Sequence, residues 1–277
     1  MIDYSGAISK GLRFGVNPKR WLQFFILDLI FLGIGASIIL PNIQNMGTLI
    51  AGAQDMTNMF QLAGMAVSVL AIVIVWVLVR IWFAGAMIHQ SNKEKDKIGD
   101  SYRISCRKYP SLFMATLIVS IIGVVVGMIP YYVGLILSII VSWLFFFILQ
   151  GVIVSKLGFS KTINNSYKIF RGKPFKVFLA WLLITIITSV IYLIFTLPIM
   201  ATTIGIFVPQ MGLMGMTQPI SGAELLSSIA PGTLQSNIPM MLVGAIIALI
   251  GFAIATTFAL KAQTEFYNQF KKKFKII

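Results

Sequence analysis

Two ionisable side chains lie inside long apolar stretches of this sequence and could interact with each other. Asp28 lies in the apolar run over residues 21–40, and Arg80 lies in the run over residues 63–88. If the two runs cross a bilayer in opposite directions, both groups lie about 10 Å inside the same boundary. A charge at that depth costs up to about 3 kcal/mol, which pairing would offset. We expect an intramembrane Asp28–Arg80 ion pair with a structural role, and the alternative is a role in a proton or ion pathway.

Lysine and arginine side chains cluster with aromatic residues in short segments that precede apolar runs. Cationic groups in such segments bind lipid phosphates, and the aromatic rings lie at the level of the headgroups. Ordinary anchoring beside a membrane helix would require the same composition, so both interpretations stay open. The candidates for contact with anionic headgroups are Lys10, Arg13, Arg103, Arg107, Lys108, Lys168, Arg171 and Lys173.

Other residue patterns indicate packing rather than chemistry. Met211, Met214 and Met216 could supply thioether ligands to Cu(I), but no His or Cys lies nearby and Met is a common packing residue. Residues 221–224 form a capping-box pattern, which predicts a short amphipathic helix in the same loop. The G-x-x-x-G pattern of Gly123 and Gly127 favours close helix approach, within one chain or between two copies.

Catalytic patterns are absent from the sequence. His89 is the only histidine, and the zinc-protease, nucleophile-elbow and P-loop motifs are missing. A membrane aspartyl protease needs two buried aspartates, and only Asp28 qualifies. The single cysteine, Cys106, cannot form an internal disulfide. We therefore expect a non-enzymatic protein with no catalytic residues, no bound metal and no cofactor.

The elements that position these groups are strongly apolar. Of the 277 residues, 58% are hydrophobic and only 11% are charged, whereas soluble domains carry about a quarter charged residues. Six apolar runs each approach the length of about 20 residues that a helix needs to cross a bilayer, and none alternates in polarity as barrel strands do. We predict an all-α, polytopic integral membrane protein with six transmembrane helices. The runs cover residues 21–40, 63–88, 111–129, 131–154, 177–198 and 238–260.

Positive charge is confined to one side of the predicted bundle. Of the 22 Lys and Arg residues, all but Arg80 lie at the two ends of the chain, between the second and third runs, or between the fourth and fifth. Cationic loops stay in the cytoplasm during insertion, so we predict a cell-membrane protein with both termini cytoplasmic. A net charge of +14 could also suit nucleic acid. Because this charge lies beside membrane helices, we expect anionic lipid headgroups as partners, and no nucleic acid.

A basic segment, a proline and a spanning run occur three times. The three copies begin GLRFGVNP, SYRISCRKYP and SYKIFRGKP, and their prolines are Pro18, Pro110 and Pro174. Each proline is expected to end a helix lying on the membrane and to begin one that enters it. We predict one membrane domain over residues 1–277, built from three parallel helix-hairpin repeats at about 1–90, 91–156 and 157–277, with cytoplasmic amphipathic in-plane helices.

The stretch FSKTINNSYKIFRGKPFKVF, residues 159–178, has a weaker copy that begins at Ile98. This pattern resembles a broad family of uncharacterised prokaryotic polytopic proteins, which is similar to the membrane domain found ahead of some bacterial glycerophosphodiester phosphodiesterases. The resemblance implies a six-helix, non-catalytic membrane module. Because no sequence follows Ile277, we expect the phosphodiesterase domain and its activity to be absent.

Two function classes are consistent with these patterns. The first is a non-enzymatic integral membrane protein that binds lipid headgroups or a partner protein, and the cationic segments favour it. The alternative is a small-molecule permease or transporter component, which a polar cavity in the membrane would favour. The main polar clusters inside the runs are Ser138 and Ser142 in the fourth, and Thr185, Thr188 and Ser189 in the fifth.

Overall fold

The structure, a computed structural model, describes residues 2–42, 56–213 and 231–274. Over these ranges the chain is α-helical, and they contain no strand. A 3-10 turn, Leu40–Asn42, follows the second helix. The α-helices in chain order are α1 (Tyr4–Gly15), α2 (Pro18–Ile39), α3 (Met56–Asn92), α4 (Ile98–Gly127), α5 (Tyr131–Leu144), α6 (Ile148–Ile153), α7 (Phe159–Gly172), α8 (Pro174–Leu213) and α9 (Pro231–Phe274).

Within the described ranges, six stretches of helix are long and apolar enough to cross a membrane, which confirms the all-α class and the six predicted apolar helices. The fourth stretch comprises most of α5, a turn at residues 145–147, and α6. The continuous apolar run of the sequence contains no signal for that turn. The six stretches are Pro18–Ile39, Met56–Asn92, Ile98–Gly127, Tyr132–Ile153, Pro174–Ile206 and Ser236–Lys272.

Prolines mark the helix ends only in part. Pro18 and Pro174 are the first residues of α2 and α8, where a missing N–H costs no hydrogen bond. The expected break at Pro110 is wrong, because α4 continues through it. Proline deprives the carbonyl four residues earlier of its donor, and here that residue is the exposed Cys106, where water can replace the bond. The helix α8 likewise continues past Pro198.

The chain divides into two compact units, each assembled from segments distant in sequence. Unit 1 consists of Met1–Phe24, Leu78–Ile191 and Ala253–Ile277, and unit 2 consists of Phe25–Val77 and Tyr192–Phe252. The repeat limits predicted near residues 90 and 156 both fall inside unit 1, and the threefold repeat stays a prediction.

The core of unit 1 lies where α9 packs against α1, the turn after α5, α7 and the start of α8. Aromatic rings dominate it: Phe147 lies 5.8 Å from Tyr267 and 5.5 Å from Phe270, measured between ring centroids. The buried Tyr267 hydroxyl accepts a hydrogen bond from Asn165 Nδ2 at 2.8 Å. Ser166 Oγ donates to the Leu144 carbonyl at 2.8 Å, which satisfies one carbonyl at the end of α5. The helix α7 therefore supports the interruption of the fourth stretch.

Unit 2 pairs α2 with the first part of α3, and the second part of α8 with the first part of α9. Its packing requires small residues at close approaches. A Cβ atom added at Gly244 would lie 3.0 Å from the Cα atom of Ile199, so a larger residue there would separate α9 from α8. The rings of Tyr192 and Phe252 pack edge to face, with centroids 5.9 Å apart.

Candidate functional site

Unit 1 contains a charged cavity of about 470 Å³, which is within the size range of small-molecule sites. We call it the cationic pocket. Its lining, as far as the structure describes the chain, carries four cations and two carboxylates and so has two excess positive charges. The lining residues are Lys10, Arg13, Phe14, Asn17, Arg20, Glu94, Lys261 and Glu265.

The central cation of the cationic pocket is Lys261, which is only 3% exposed. Its ammonium donates to the Ser91 carbonyl at 2.7 Å and to Glu265 Oε1 at 2.6 Å. It also lies 2.7 Å from Glu94 Oε1. Because a buried ammonium needs three acceptors in fixed positions, this side chain joins α9 to the last turn of α3 and to the segment that follows it.

A second cation, Arg20, is held at the start of α2. Its Nη1 donates to Gln90 Oε1 at 2.7 Å and its Nη2 donates to the Glu94 carbonyl at 3.1 Å. Its guanidinium carbon lies 5.2 Å from the centre of the Phe14 ring, close enough for a cation–π contact. The positive charge of Arg20 is thus positioned before any ligand arrives.

The remaining two cations lie on α1 and are more accessible. Lys10 is 65% exposed at its side chain and contacts Glu265 Oε2 at 3.3 Å, a weak surface pair. Arg13 lies in the last turn of α1 and is exposed. No hydrogen-bond acceptor for its guanidinium is found within the described ranges. Arg13 can therefore bind an anion without giving up an existing partner.

Glycines allow α1 to lie against α9 and so bring these cations together. A Cβ atom at Gly15 would lie 2.9 Å from the Cβ and 3.1 Å from the Cα of Phe258, and one at Gly11 would lie 3.0 Å from Ala262. The start of α1 is capped by Asp3, whose carboxylate accepts a hydrogen bond from the Gly6 amide at 2.8 Å. The start of α1 is therefore fixed by its own cap, and its second half is positioned by packing against α9.

The structure brings two of the predicted headgroup residues, Lys10 and Arg13, into this pocket. It adds Arg20 and Lys261, which the sequence places in cationic ends of runs but which no motif singles out. None of the other predicted residues lines the cationic pocket. Arg103, Arg107 and Lys108 lie on α4, Lys168 and Arg171 lie on α7, and Lys173 directly follows α7 as its C-cap.

The buried face of α7 is mostly polar. Its buried residues are Thr162, Asn165, Ser166 and Ile169, whereas Lys168 and Arg171 are exposed. Tyr167 on the same helix is 44% exposed. A headgroup role for the cations of α7 stays a prediction.

Asp28 and Arg80 belong to different units, and their pairing stays a prediction. Within unit 2, Asp28 is 4% exposed and accepts a hydrogen bond from Trp76 Nε1 at 2.8 Å. It borders an otherwise largely apolar cavity of about 460 Å³ between α2, α3 and α9. Within unit 1, Arg80 donates to Thr256 Oγ1 at 3.3 Å, and its guanidinium carbon lies 5.6 Å from the centre of the Phe24 ring.

The described residues supply no packing partner for Gly123 and Gly127, and most of the predicted methionine loop is not described. Cβ atoms added at Gly123 and Gly127 would meet no described atom within 4 Å, so a packing role there stays a prediction, open to a second copy of the chain. Met214, Met216 and residues 221–224 lie outside the described residues. In the ranges that the structure describes, no three His, Cys, Asp or Glu side chains come together as a metal site.

Comparison with protein-family models, with curated proteins and with solved structures finds no match for this chain. The resemblance to the membrane domain of glycerophosphodiester phosphodiesterases therefore remains an expectation from the sequence.

Proposed function

We propose that this chain is a non-enzymatic, multi-pass membrane protein that binds an anionic lipid headgroup in the cationic pocket. The observation that carries the proposal is the convergence of four cations from α1, α2 and α9 on one cavity, where the described residues supply two carboxylates to balance them. Arginine and lysine side chains in this arrangement bind phosphate oxygens through charge-assisted hydrogen bonds.

A lipid is favoured over a soluble anion because of where the pocket lies along the helices. Arg20 is two residues after the start of α2, the first stretch able to cross a membrane, and Lys261 follows directly after the sixth apolar run. Both cations therefore lie at the ends of apolar spans, which is the depth of the headgroups. A lipid bound there would keep its acyl chains in the bilayer.

The orientation of the chain in the membrane and its three parallel repeats form part of the same proposal. With all Lys and Arg except Arg80 on one side, the pocket would face the cytoplasm, as would both termini. The helices α1 and α7 would lie in the membrane plane as cationic segments of three parallel repeats. In a cell membrane, the cytoplasmic leaflet supplies the anionic lipids that this side would meet.

The proposal is tested by native mass spectrometry of delipidated protein titrated with phosphatidylglycerol or phosphatidylcholine. Each cation near the headgroups contributes about 1 kcal/mol, so the double variant Lys10→Gln/Arg13→Gln should bind phosphatidylglycerol about 30-fold more weakly. The matched control is Lys97→Gln/Lys161→Gln, which removes two exposed cations outside the pocket. This control should bind like the unmodified protein.

Two results would count against a lipid site. Equal weakening by both double variants would show that only the net charge matters. Displacement of phosphatidylglycerol by inorganic phosphate at similar concentration would show that the pocket binds a free anion.

A second candidate function, a small-molecule permease component, is favoured by one observation. Ser142, Thr185, Thr188 and Ser189 line a common cavity in unit 1, as the transport alternative requires. Transport needs access to that cavity from both sides of the membrane. With Cys106 replaced by Ser, a Ser189→Cys variant should react with a membrane-impermeant maleimide from either side if the protein is a permease. Reaction from one side only would exclude it.

A further inference from the structure

A second cavity of unit 1, of about 470 Å³, lies beside the turn that interrupts the fourth membrane stretch. We call it the neutral cavity. Five helices contribute to its wall, and half of its lining side chains are polar. The polar lining residues are Thr116, Ser120, Ser142, Gln150, Thr185, Thr188, Ser189 and Gln263, and the aromatic ones are Phe145, Phe146 and Trp181.

The lining of the neutral cavity includes two buried polar groups without a partner in the described chain. Gln150 is 1% exposed, and its Nε2 donates to Gln263 Oε1 at 2.9 Å, while its Oε1 accepts no hydrogen bond from any described residue. The buried Thr188 hydroxyl likewise has no hydrogen bond to the described residues. An unsatisfied buried polar group costs about 1–3 kcal/mol, so a ligand that satisfied these two would gain that energy.

The hydrogen-bonding atoms select a hydroxyl group. With the side-chain amides as placed, Gln150 offers an acceptor, and with both amides rotated it offers a donor instead. A hydroxyl donates and accepts, so it satisfies Gln150 in either orientation and satisfies Thr188 as well. An ester or ketone could satisfy only a donor.

The charge and position of the cavity narrow the ligand class further. Its lining, within the described residues, carries no Asp, Glu, Lys, Arg or His, and an unpaired ionic group would be costly there. The cavity has an exposed polar rim. The rim residues lie on helices that could cross a membrane, so the rim would face acyl chains. The rim residues are Ser120, Ser142, Thr185 and Ser189. Thr188 is 14 positions after Pro174, about 21 Å along α8, so the cavity reaches well into the hydrocarbon region.

We propose that the neutral cavity binds an uncharged amphiphile with free hydroxyl groups, such as a monoacylglycerol, which enters sideways from the bilayer. Its hydroxyls bond Gln150 and Thr188, and its acyl chain leaves past the exposed rim. The interrupted fourth stretch contributes Phe145, Phe146 and Gln150 to this site. The function of the turn at residues 145–147 is therefore to place these side chains around the ligand. This inference does not depend on the cationic pocket, because the two cavities share no lining residue.

The test uses the full chain in phosphatidylcholine nanodiscs with a diazirine-bearing monoacylglycerol, and crosslinks are mapped by mass spectrometry. Crosslinks are expected on α6 and on the part of α8 around Thr188. Unlabelled monoolein should compete, whereas methyl oleate, with the same chain and no hydroxyl, should not. Loss of one hydrogen bond in Thr188→Val should weaken competition by monoolein about threefold to tenfold.

The matched control is Thr203→Val, which removes a hydroxyl from the same helix outside the cavity and should leave competition unchanged. Gln150→Leu is a second variant, expected to weaken competition at least as much as Thr188→Val. If Gln150→Leu fails to fold, the proposal is still tested by the comparison of monoolein with methyl oleate and by the Thr188→Val variant. Equal competition by methyl oleate, or unchanged competition by monoolein in Thr188→Val, would overturn the proposal.

Discussion

Replacing Lys261 by Met tests whether the cationic pocket is held together by one buried ammonium. Methionine keeps a similar length of apolar side chain but removes the charge and all three donors. The Ser91 carbonyl and the carboxylates of Glu94 and Glu265 then lose partners at 2.6–2.7 Å. We expect the segment after α3 to separate from α9.

The magnitude follows from burial of the partners. Removing one member of a buried ion pair costs about 3–5 kcal/mol because the other charge stays buried. Glu265 is 18% exposed at its side chain and keeps a 3.3 Å contact with Lys10, whereas Glu94 is more than half exposed and contributes little. We therefore expect a loss near the lower limit, about 3 kcal/mol of unfolding free energy.

Equilibrium unfolding in mixed micelles, followed by circular dichroism, measures this loss. A double-mutant cycle with Glu265→Gln should recover about 1–3 kcal/mol, because the orphaned carboxylate is removed. The exposed Lys10→Gln should cost less than 1 kcal/mol. A cost below 1 kcal/mol for Lys261→Met, or no coupling to Glu265, would show that the buried ammonium does not hold the pocket together.

Two further predictions concern helix packing and the intramembrane charges. Gly15→Ala should destabilise the protein by about 1–3 kcal/mol, because the added Cβ meets the backbone of Phe258. The control Gly99→Ala adds a Cβ in open space and should not destabilise the protein. Equal effects of the two variants in thermal unfolding would contradict this packing. Each single variant, Asp28→Arg or Arg80→Asp, should lose folding, and the double variant should restore it, as judged by size-exclusion profiles. Normal folding of both single variants would show that the proposed pair has no structural role.

The sequence predicts the helical class and the number of apolar helices well, because a bilayer demands about 20 apolar residues whatever the tertiary packing. Helix ends at prolines are less predictable. Pro174 begins α8 as expected, but Pro110 lies inside α4 because the carbonyl it deprives of a donor lies at an exposed position. Whether a proline ends a helix depends on its tertiary surroundings, and the periodicity of the sequence carries no information about them.

The site residues are predictable only where a dense cluster of Lys and Arg occurs in the sequence. Lys10 and Arg13 are found from their basic segment. The role of Lys261 requires knowing that Glu94, from a distant part of the chain, approaches it beside its helical neighbour Glu265. The interruption at residues 145–147 leaves no mark in an apolar run, since its support comes from the Ser166 hydroxyl on another helix. Long-range contacts of this kind are invisible to local patterns.

The most direct measurement is an electron cryomicroscopy map of the protein in nanodiscs that contain phosphatidylglycerol. We predict phosphate density in the cationic pocket, within hydrogen-bond distance of Arg13 and Lys10, and the loss of this density in Lys10→Gln/Arg13→Gln. A pocket filled only by water in the unmodified protein, with lipid phosphates ordered elsewhere on the same surface, would contradict it.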